Sequence, residues 1–170
     1  MRILGIDPGY DRVGIAIVDK DPKQKESLFY SECLQTSSKD PFYTRLGQVG
    51  NKIADIIEKY RPDAMAIESL FITKNQKTAM RVAEARGVIA YEAVRENIPI
   101  FEYTPLQIKI AVTGHGTSDK GQILKILPLL IDLGDKKKEG YEKIRDDEYD
   151  AIAVALTCLA SEKVNFISRK

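Results

Sequence analysis

Alternating apolar and polar residues in the first 36 positions predict three β-strands. The first spans residues 2–7 and is ended by Pro8 and Gly9, and the second and third span 12–18 and 27–36. Because the connections between these strands are short, we expect them to be antiparallel neighbours in one sheet.

Beyond residue 40 the apolar residues recur every three or four positions, which is the period of a helix. The first such helix spans 42–60 and ends before Pro62, and its apolar stripe comprises Phe42, Leu46, Val49, Ile53, Ile56, Ile57 and Tyr60. Further helices are predicted at 74–97, 105–113, 118–131 and 147–163, and further strands at 63–68 and 98–103. This order of elements predicts an α/β fold with a mixed five-stranded sheet: three antiparallel strands, then parallel additions, with helices on both faces.

Length and composition narrow the class of protein. A chain of 170 residues with 44% hydrophobic and 30% charged residues predicts one globular domain and excludes fibrous and wholly disordered chains. We expect the polar, lysine-rich residues 132–146 to form a mobile loop and residues 164–170 a tail.

The numbers of cysteines and histidines and the lengths of apolar segments indicate the cellular compartment of the protein. Two cysteines and one histidine are too few for a Cys/His zinc site and argue against a disulfide framework. The longest apolar stretch, residues 151–160, has half the length that a bilayer requires. Asp7 and Pro8 come too early for a signal peptide, so we expect a cytoplasmic protein without a membrane partner.

Four carboxylates lie at the ends of predicted elements. Asp7 ends the first strand, Glu68 ends the fourth, and Asp147 and Asp150 share a face in the first turn of the last helix. If they converge, oxygen-only ligation suits Mg²⁺ or Mn²⁺, and two such ions about 3.5–4 Å apart clamp a phosphodiester. The spacing also fits a plain turn at Asp7 and a helix cap at Asp147, and both alternatives stay open.

The net charge of +1 hides a separation of charge along the chain. Residues 71–87 carry +3 and residues 106–125 carry +2, whereas residues 132–150 carry −3. Basic segments beside an acidic, metal-binding site suit a phosphate-backbone substrate. The alternative is that these charges only solvate helix faces.

Two loops and one helix face carry further candidate residues. Phe71 follows Glu68 in a polar loop and is either a base-stacking aromatic or an ordinary core residue. The Gly-His-Gly loop at 114–116 either approaches phosphates or is a helix–helix turn, and its His115 is either a general base or a surface residue. Ala79, Ala83 and Gly87 form a small-residue stripe that packs on the sheet or on a second subunit.

Six motifs, taken together and in order, resemble the RuvC family of Holliday junction resolvases. They are GIDPG (5–9), AIESLFITKN (66–75), ARG (85–87), FEY (101–103), GHGTSDKGQ (114–122) and DEYDAIAVA (147–155). An apolar strand ending in Asp-x-Gly also occurs in actin-like proteins, but those need more than 170 residues. The resemblance implies a ribonuclease H-like fold over nearly the whole chain.

The resemblance also implies roles for individual residues. The catalytic, metal-binding acids map to Asp7, Glu68, Asp147 and Asp150, with Lys120 offsetting charge on the phosphate. Asp147 is preferred to Asp146 because it restores the family spacing. The candidate DNA-binding residues, drawn from these motifs and the basic segments, are Phe71, Lys74, Asn75, Lys77, Arg81, Lys109 and Lys120. Departures from the family are the longer 132–146 segment, Cys158 in place of a frequent His, and Ala83 in place of a frequent Gly.

The activity implied is metal-dependent endonuclease cleavage of four-way DNA junctions in recombination and repair. Paired symmetric nicks leave 5′-phosphate and 3′-hydroxyl ends, and Mg²⁺ or Mn²⁺ is expected, with two ions per active site. The implied partners are four-way junction DNA, a second copy of the chain with helix residues 79–87 at the interface, and a RuvA/RuvB branch-migration complex. Two alternatives are a RuvX/YqgF-like ribonuclease acting on ribosomal RNA precursor and a non-catalytic junction-binding module.

Overall fold

Six strands form one mixed sheet in the computed structural model, which describes residues 1–70, 76–134 and 144–162. The strands are β1 (Arg2–Asp7), β2 (Arg12–Asp19), β3 (Glu26–Gln35), β4 (Ala64–Glu68), β5 (Ile100–Tyr103) and β6 (Ile131–Asp132). Their order is β5-β4-β1-β2-β3-β6. The pairs β1–β2 and β2–β3 are antiparallel, whereas β4, β5 and β6 pair in parallel with β1, β4 and β3.

This topology confirms the predicted mixed α/β sheet and adds one strand to it. The strand β6 was not predicted because it has only two residues and follows a helix directly. An isolated pair of residues carries no periodic pattern, so only pairing with β3 identifies it as a strand.

In the part of the chain that the structure describes, five helices connect and cover the sheet. They are α1 (Phe42–Tyr60), α2 (Gln76–Arg95), α3 (Pro105–Thr113), α4 (Lys120–Leu130) and α5 (Asp146–Ser161). The bounds of α1 and α3 match the prediction, and α2 and α4 are shorter than predicted. After α2, Asn97 adopts a left-handed backbone conformation, and before α4 the Asp119 side chain caps the first turn by accepting from the Gln122 amide.

Each face of the sheet is covered by its own hydrophobic core. Helices α1 and α2 pack on one face, and α3, α4 and α5 pack on the other. Nearly every residue of α5 from Ala151 to Leu159 is buried, so this helix lies in the centre of its layer. The predicted coverage of both faces is therefore confirmed.

Both ends of the segment 132–146, which was predicted to be a mobile loop, belong to the described part of the fold. Asp132 belongs to β6, Leu133 and Ile144 are buried in the core, and Asp146 begins α5. Because most residues of this segment are polar, its composition did not predict that Leu133 and Ile144 would be buried. Residues 135–143 and the predicted tail lie outside the described residues. Of the helices that the structure describes, none is long and apolar enough to span a bilayer.

Candidate active site

The carboxyl ends of β1 and β4 bring the first two acids together. These strands are parallel neighbours with Ile6 paired to Ile67, so Asp7 and Glu68 follow at the same end of the sheet. Both carboxyls are largely buried, and the charge of Glu68 acts on Asp7. The prediction that strand ends gather acids depends on this parallel register, which the sequence does not state.

Helix α5 brings the other two acids over the end of β1. A Cβ atom placed on Gly14 of β2 would lie 1.9 Å from the backbone oxygen of Asp147 and 3.1 Å from the Cβ of Asp7. One turn further on, a Cβ on Gly5 would lie 2.2 Å from the oxygen of Ala151. The helix backbone therefore contacts the sheet backbone directly, which only glycine at these two positions allows.

Crowding of like charges shows in the acidity of Asp7. Its pKa is raised to about 8, first because the group is buried and then because of nearby negative charge. The groups that contribute this charge are Asp150, Glu68 and Asp147, and Lys120 acts in the opposite direction. All four predicted acids therefore lie close enough together for the charges of three of them to act on Asp7. The structure also brings Lys120 to them.

Lys120, at the start of α4, forms the main cationic contact of the cluster. Its Nζ lies 3.0 Å from Oδ2 of Asp150 and 3.4 Å from Oδ2 of Asp146. Burial lowers the pKa of the lysine, but bonding to Asp150 and the charge of both acids outweigh it, so the pKa is raised. Lys120 is therefore held as an ammonium ion. Despite this contact, burial and the neighbouring acids raise the pKa of Asp150.

Asp147 is held by two residues that the sequence did not single out as site residues. Its Oδ1 lies 3.6 Å from Nε of Arg12, and its Oδ2 accepts from the Cys33 thiol at 3.5 Å. The neighbouring Asp146 is more exposed and faces Lys120. Of this pair, Asp147 is the one whose charge is among those acting most on Asp7. This arrangement supports the preference for Asp147 as the third acid.

A buried acid between Asp147 and Asp150 anchors the start of α5. The Oε2 of Glu148 accepts from the Ser31 hydroxyl on β3 at 2.6 Å, and its Oε1 accepts from the Arg145 amide at 3.3 Å. Both Glu148 and Ser31 are buried. Glu148 was not predicted as a site residue because its partner, Ser31, is 117 residues away in the chain. The one signal in the sequence was that an acid stands inside the Asp-x-x-Asp motif.

The donor set of the cluster fits a divalent cation. Four carboxylates supply oxygen ligands only, and the raised pKa of Asp7 reports an excess of negative charge that a cation relieves. As the side chains stand, however, no group of three His, Cys, Asp or Glu residues in the described parts of the chain is arranged to hold a metal ion. Asp150 instead faces Lys120, and Asp147 faces Arg12, so the carboxylates must exchange these contacts to bind one.

The candidate DNA-binding residues are spread over three elements. On α2, Lys77 is exposed, and the guanidinium of Arg81 lies 4.9 Å from the ring centre of Phe42. On α3, Lys109 is half-buried, and His115 beyond it is exposed, as its surface alternative requires. Phe71, Lys74 and Asn75 lie outside the described residues.

The small-residue stripe of α2 faces outward. Ala83 and Gly87 are exposed, and among the described residues nothing outside the helix's own neighbouring backbone lies within 4 Å of a Cβ placed on Gly87. On the same helix, Met80, Tyr91 and Val94 each expose more than half of their surface. At Ala83 and Gly87 the stripe therefore does not pack on the sheet of its own chain, which was one of its two predicted roles, whereas Ala79 is half-buried.

This mixed sheet, with four carboxylates gathered where β1, β4 and the start of α5 meet, has the architecture of a ribonuclease H-like nuclease. The sequence matches the family Crossover junction endodeoxyribonuclease RuvC over residues 3–158. The chain therefore belongs to the RuvC family of crossover junction endodeoxyribonucleases.

Similar proteins cover almost the whole chain. The RuvC of Brevibacillus brevis is 43% identical over 157 residues, which span 92% of this chain and 90% of that protein. The RuvC of Finegoldia magna is 39% identical over 168 residues, which span 99% and 98%.

Among solved structures, Thermus thermophilus RuvC in complex with a Holliday junction substrate superposes with a TM-score of 0.84 and 28% identity, covering 94% of this chain and 93% of that one. The yeast mitochondrial resolvase Ydc2, at 15% identity and a TM-score of 0.69, shares the fold.

Proposed function

We propose that this protein is a Holliday junction resolvase, a metal-dependent endonuclease that makes paired symmetric nicks in four-way DNA junctions. The observation that carries the proposal is the convergence of Asp7, Glu68, Asp147 and Asp150 beside Lys120. Because the chain belongs to the RuvC family, DNA junction cleavage is favoured over the RuvX/YqgF-like ribonuclease and over a non-catalytic binding module. Cleavage leaves 5′-phosphate and 3′-hydroxyl ends.

Asp7, Glu68, Asp147 and Asp150 hold the metal in this proposal, with Mg²⁺ or Mn²⁺ as the ion and two ions per site. Such ions, when bound, lower the pKa of the attacking water and stabilise the leaving oxygen. The acids reach the ions by giving up their present contacts with Lys120 and Arg12.

Lys120 then acts as a fixed positive charge. Released from Asp150, its ammonium group would stay beside the acidic cluster through its contact with Asp146 and could face a bound phosphate. The side chain of Lys120 is solvent-exposed, and a lysine in such a position is protonated near neutral pH, so it stabilises developing negative charge and does not accept a proton. Lys109 contacts the DNA near the scissile phosphate, as Lys120 does. Lys77 and Arg81 contact the DNA elsewhere, and Phe71 stacks on bases at the junction centre.

Two copies of the chain form the working unit in this proposal. A junction has two-fold symmetry, so a two-fold dimer places one active site on each of two symmetric strands. The exposed face of α2 around Ala83 and Gly87 supplies the close contact between copies. Delivery of the junction by a RuvA/RuvB branch-migration complex, the cytoplasmic location and the single-domain organisation stay predictions.

The first experiment is cleavage of a synthetic mobile four-way junction with and without Mg²⁺ or Mn²⁺. We expect metal-dependent paired nicks in the junction and none in linear duplex or structured RNA run alongside. Asp7→Asn should bind the junction and lose cleavage by at least about 10³-fold, because it removes a carboxylate from the centre of the cluster. Asp55→Asn, on the exposed side of α1, makes the same change of charge and should cleave normally.

Three outcomes would contradict the proposal. Cutting of RNA without cutting of the junction would support the ribonuclease, and metal-independent binding without cutting would support the recognition module. Normal nicking by Asp7→Asn would refute the assignment of the site.

A further inference from the structure

A buried arginine lies behind the turn that follows Asp7. Arg45 is on α1, on the same face as Leu46 and Val49, and only 5% of its surface is exposed. Removing a guanidinium group from water is costly unless its donors are bonded and its charge is paired. The contacts that satisfy Arg45 therefore show what the residue does in the fold.

These contacts all lead to the turn between β1 and β2. The Nη2 of Arg45 donates to the backbone oxygen of Tyr10 at 3.1 Å and also pairs with the carboxylate of Asp11. Its Nε donates to the hydroxyl of Thr36 at 2.8 Å, and that hydroxyl donates to the same Tyr10 oxygen at 2.6 Å. The backbone amide of Thr36 donates to the backbone oxygen of Asp11 at 3.0 Å. One buried side chain thus holds two consecutive residues of the turn.

The ring of Tyr10 is held in the same way. The guanidinium carbon of Arg45 lies 4.9 Å from its centre, and the edge of Phe42 packs against it with centroids 5.6 Å apart. Arg81 of α2 lies 4.9 Å from the ring centre of Phe42 and 5.7 Å from that of Tyr10. The turn is therefore tied to both helices of one layer.

The position of this turn matters to Asp7 because only two residues, Pro8 and Gly9, join Asp7 to Tyr10. Asp7 pairs with Gly14 at the end of the hairpin, and the turn is tight: a Cβ on Gly9 would lie 2.1 Å from the oxygen of Arg12. A shift at residues 10 and 11 is thus transmitted to the end of β1 with little slack. The charges that act most on Asp7 come from the other acids and Lys120, so Arg45 acts through the backbone.

We infer that Arg45 is a positioning residue for cleavage: by fixing the turn at Tyr10 and Asp11, it sets the place of Asp7 in the acidic cluster. This inference rests on the proposed nuclease function and adds to it a residue that does not touch metal or DNA. Small displacements of a reacting group lower rates steeply, whereas substrate binding elsewhere is unaffected.

The test compares Arg45→Met with Arg2→Met. Arg2 is a matched control because it pairs through two nitrogens with Asp19, at 2.7 Å each, and donates to the Tyr60 oxygen, but at the opposite end of β1. With enzyme in excess over a four-way junction, we expect Arg45→Met to cut about tenfold more slowly and to bind the junction within about twofold of wild type. Arg2→Met should keep both values near wild type.

Two further variants separate positioning from folding. Arg45→Lys keeps the charge but not the planar fork, so it should recover only part of the rate. Asp11→Asn leaves the core intact, since 61% of the Asp11 side chain is exposed, and should cut about threefold more slowly. Amide hydrogen exchange at residues 10–12 and 36 should rise in both Arg45 variants and not in Arg2→Met.

The outcomes are distinct. Normal cutting rates for Arg45→Met and Asp11→Asn, in a preparation whose wild type cuts the junction, would overturn the positioning role. An equal loss of rate in Arg2→Met would overturn it too, because general destabilisation would then explain both. If Arg45→Met does not fold, the rate of Asp11→Asn decides by the same criterion. A wild type that cuts no junction would instead refute the proposed function.

Discussion

At the scale of single residues, the candidate site is a balance of buried charge. Asp7 is surrounded by three other carboxylates, and Lys120 and Arg12 are cations in contact with the group. In the absence of metal this excess of negative charge is unfavourable for folding, because each acid loses hydration and gains repulsion. Function and stability therefore oppose each other at Asp7.

This opposition predicts a pH-dependent stability of the metal-free protein. The pKa of Asp7 is raised from 3.8 to about 8 by folding, so the folded state holds a proton that the unfolded state has already released between these values. Stability is therefore lost as pH rises through this range. Asp7→Asn should be more stable than wild type at pH 8 by an amount on the order of a few kcal/mol, since one pKa unit is about 1.4 kcal/mol.

Urea unfolding in chelator at pH 5 and pH 8 measures this effect. The stability gained by Asp7→Asn should be larger at pH 8 than at pH 5, and Asp55→Asn should show no such difference. A gain that is equal at both pH values would contradict the raised pKa of Asp7.

Lys120 gives the second prediction at this scale. Lys120→Met removes the ammonium that faces Asp150 and should lower the cleavage rate by about 10²-fold, because a fixed charge beside the phosphate is lost. Lys125→Met, an exposed position on the same helix, should cut at the normal rate. Single-turnover rates at saturating metal decide between them. Equal rates for the two variants would show that Lys120 has no special role.

At the scale of elements, the site depends on how closely α5 approaches the sheet. The backbone of the helix lies against Gly5 and Gly14, at distances that exclude any side chain there. The Glu148–Ser31 hydrogen bond then fixes the first turn of α5 above β3. The helix is thus held by close contact along its length and by a buried polar anchor at its start.

Gly14→Ala should therefore damage both fold and activity. The added methyl meets the Asp147 oxygen, so α5 must move away and the predicted destabilisation is about 1–3 kcal/mol with a matching loss of cleavage. Gly47→Ala is the control, because the space at that position on α1 is open, and it should stabilise by about 0.5–1 kcal/mol. Urea unfolding measures both values. A neutral Gly14→Ala would mean that α5 does not contact β2 as described.

At the scale of the whole molecule, helix α2 has one face packed in the core and an opposite face exposed on the surface. Helix α2 packs on α1 and the sheet through Ala85, Ile89 and Ala93, while Ala83 and Gly87 remain open. In the proposed dimer this open face is where a second copy approaches closely. A large side chain there harms the dimer and leaves the single chain untouched.

Gly87→Arg is therefore expected to give a folded monomer. The added Cβ meets no neighbouring element in the described part of the chain, so the melting temperature of the isolated chain should not fall. Sedimentation velocity should show a dimer for wild type and for Gly47→Arg, which adds the same side chain at an equally open site on α1. A dimeric Gly87→Arg would place the interface elsewhere on the molecule.

Sequence periodicity determined most of the fold and the identity of the candidate acids. The apolar stripe of α1 predicted the bounds of the helix because a helix with one buried face repeats its apolar residues every three or four positions. The ends of the predicted strands located Asp7 and Glu68. Ordered motifs identified Asp147, Asp150 and Lys120 as candidates. These features depend on residues close together in the chain, so the sequence alone is enough to predict them.

Contacts between distant elements bring these residues together. The pairing of β6 with β3, the approach of α5 to Gly14 and the anchoring of Glu148 by Ser31 all join residues far apart in the chain. The same is true of Arg45, which reads as one polar residue in a helix and proves to be the support of a turn 34 residues earlier. Local patterns specify elements, whereas the contacts between elements depend on packing that no local pattern contains.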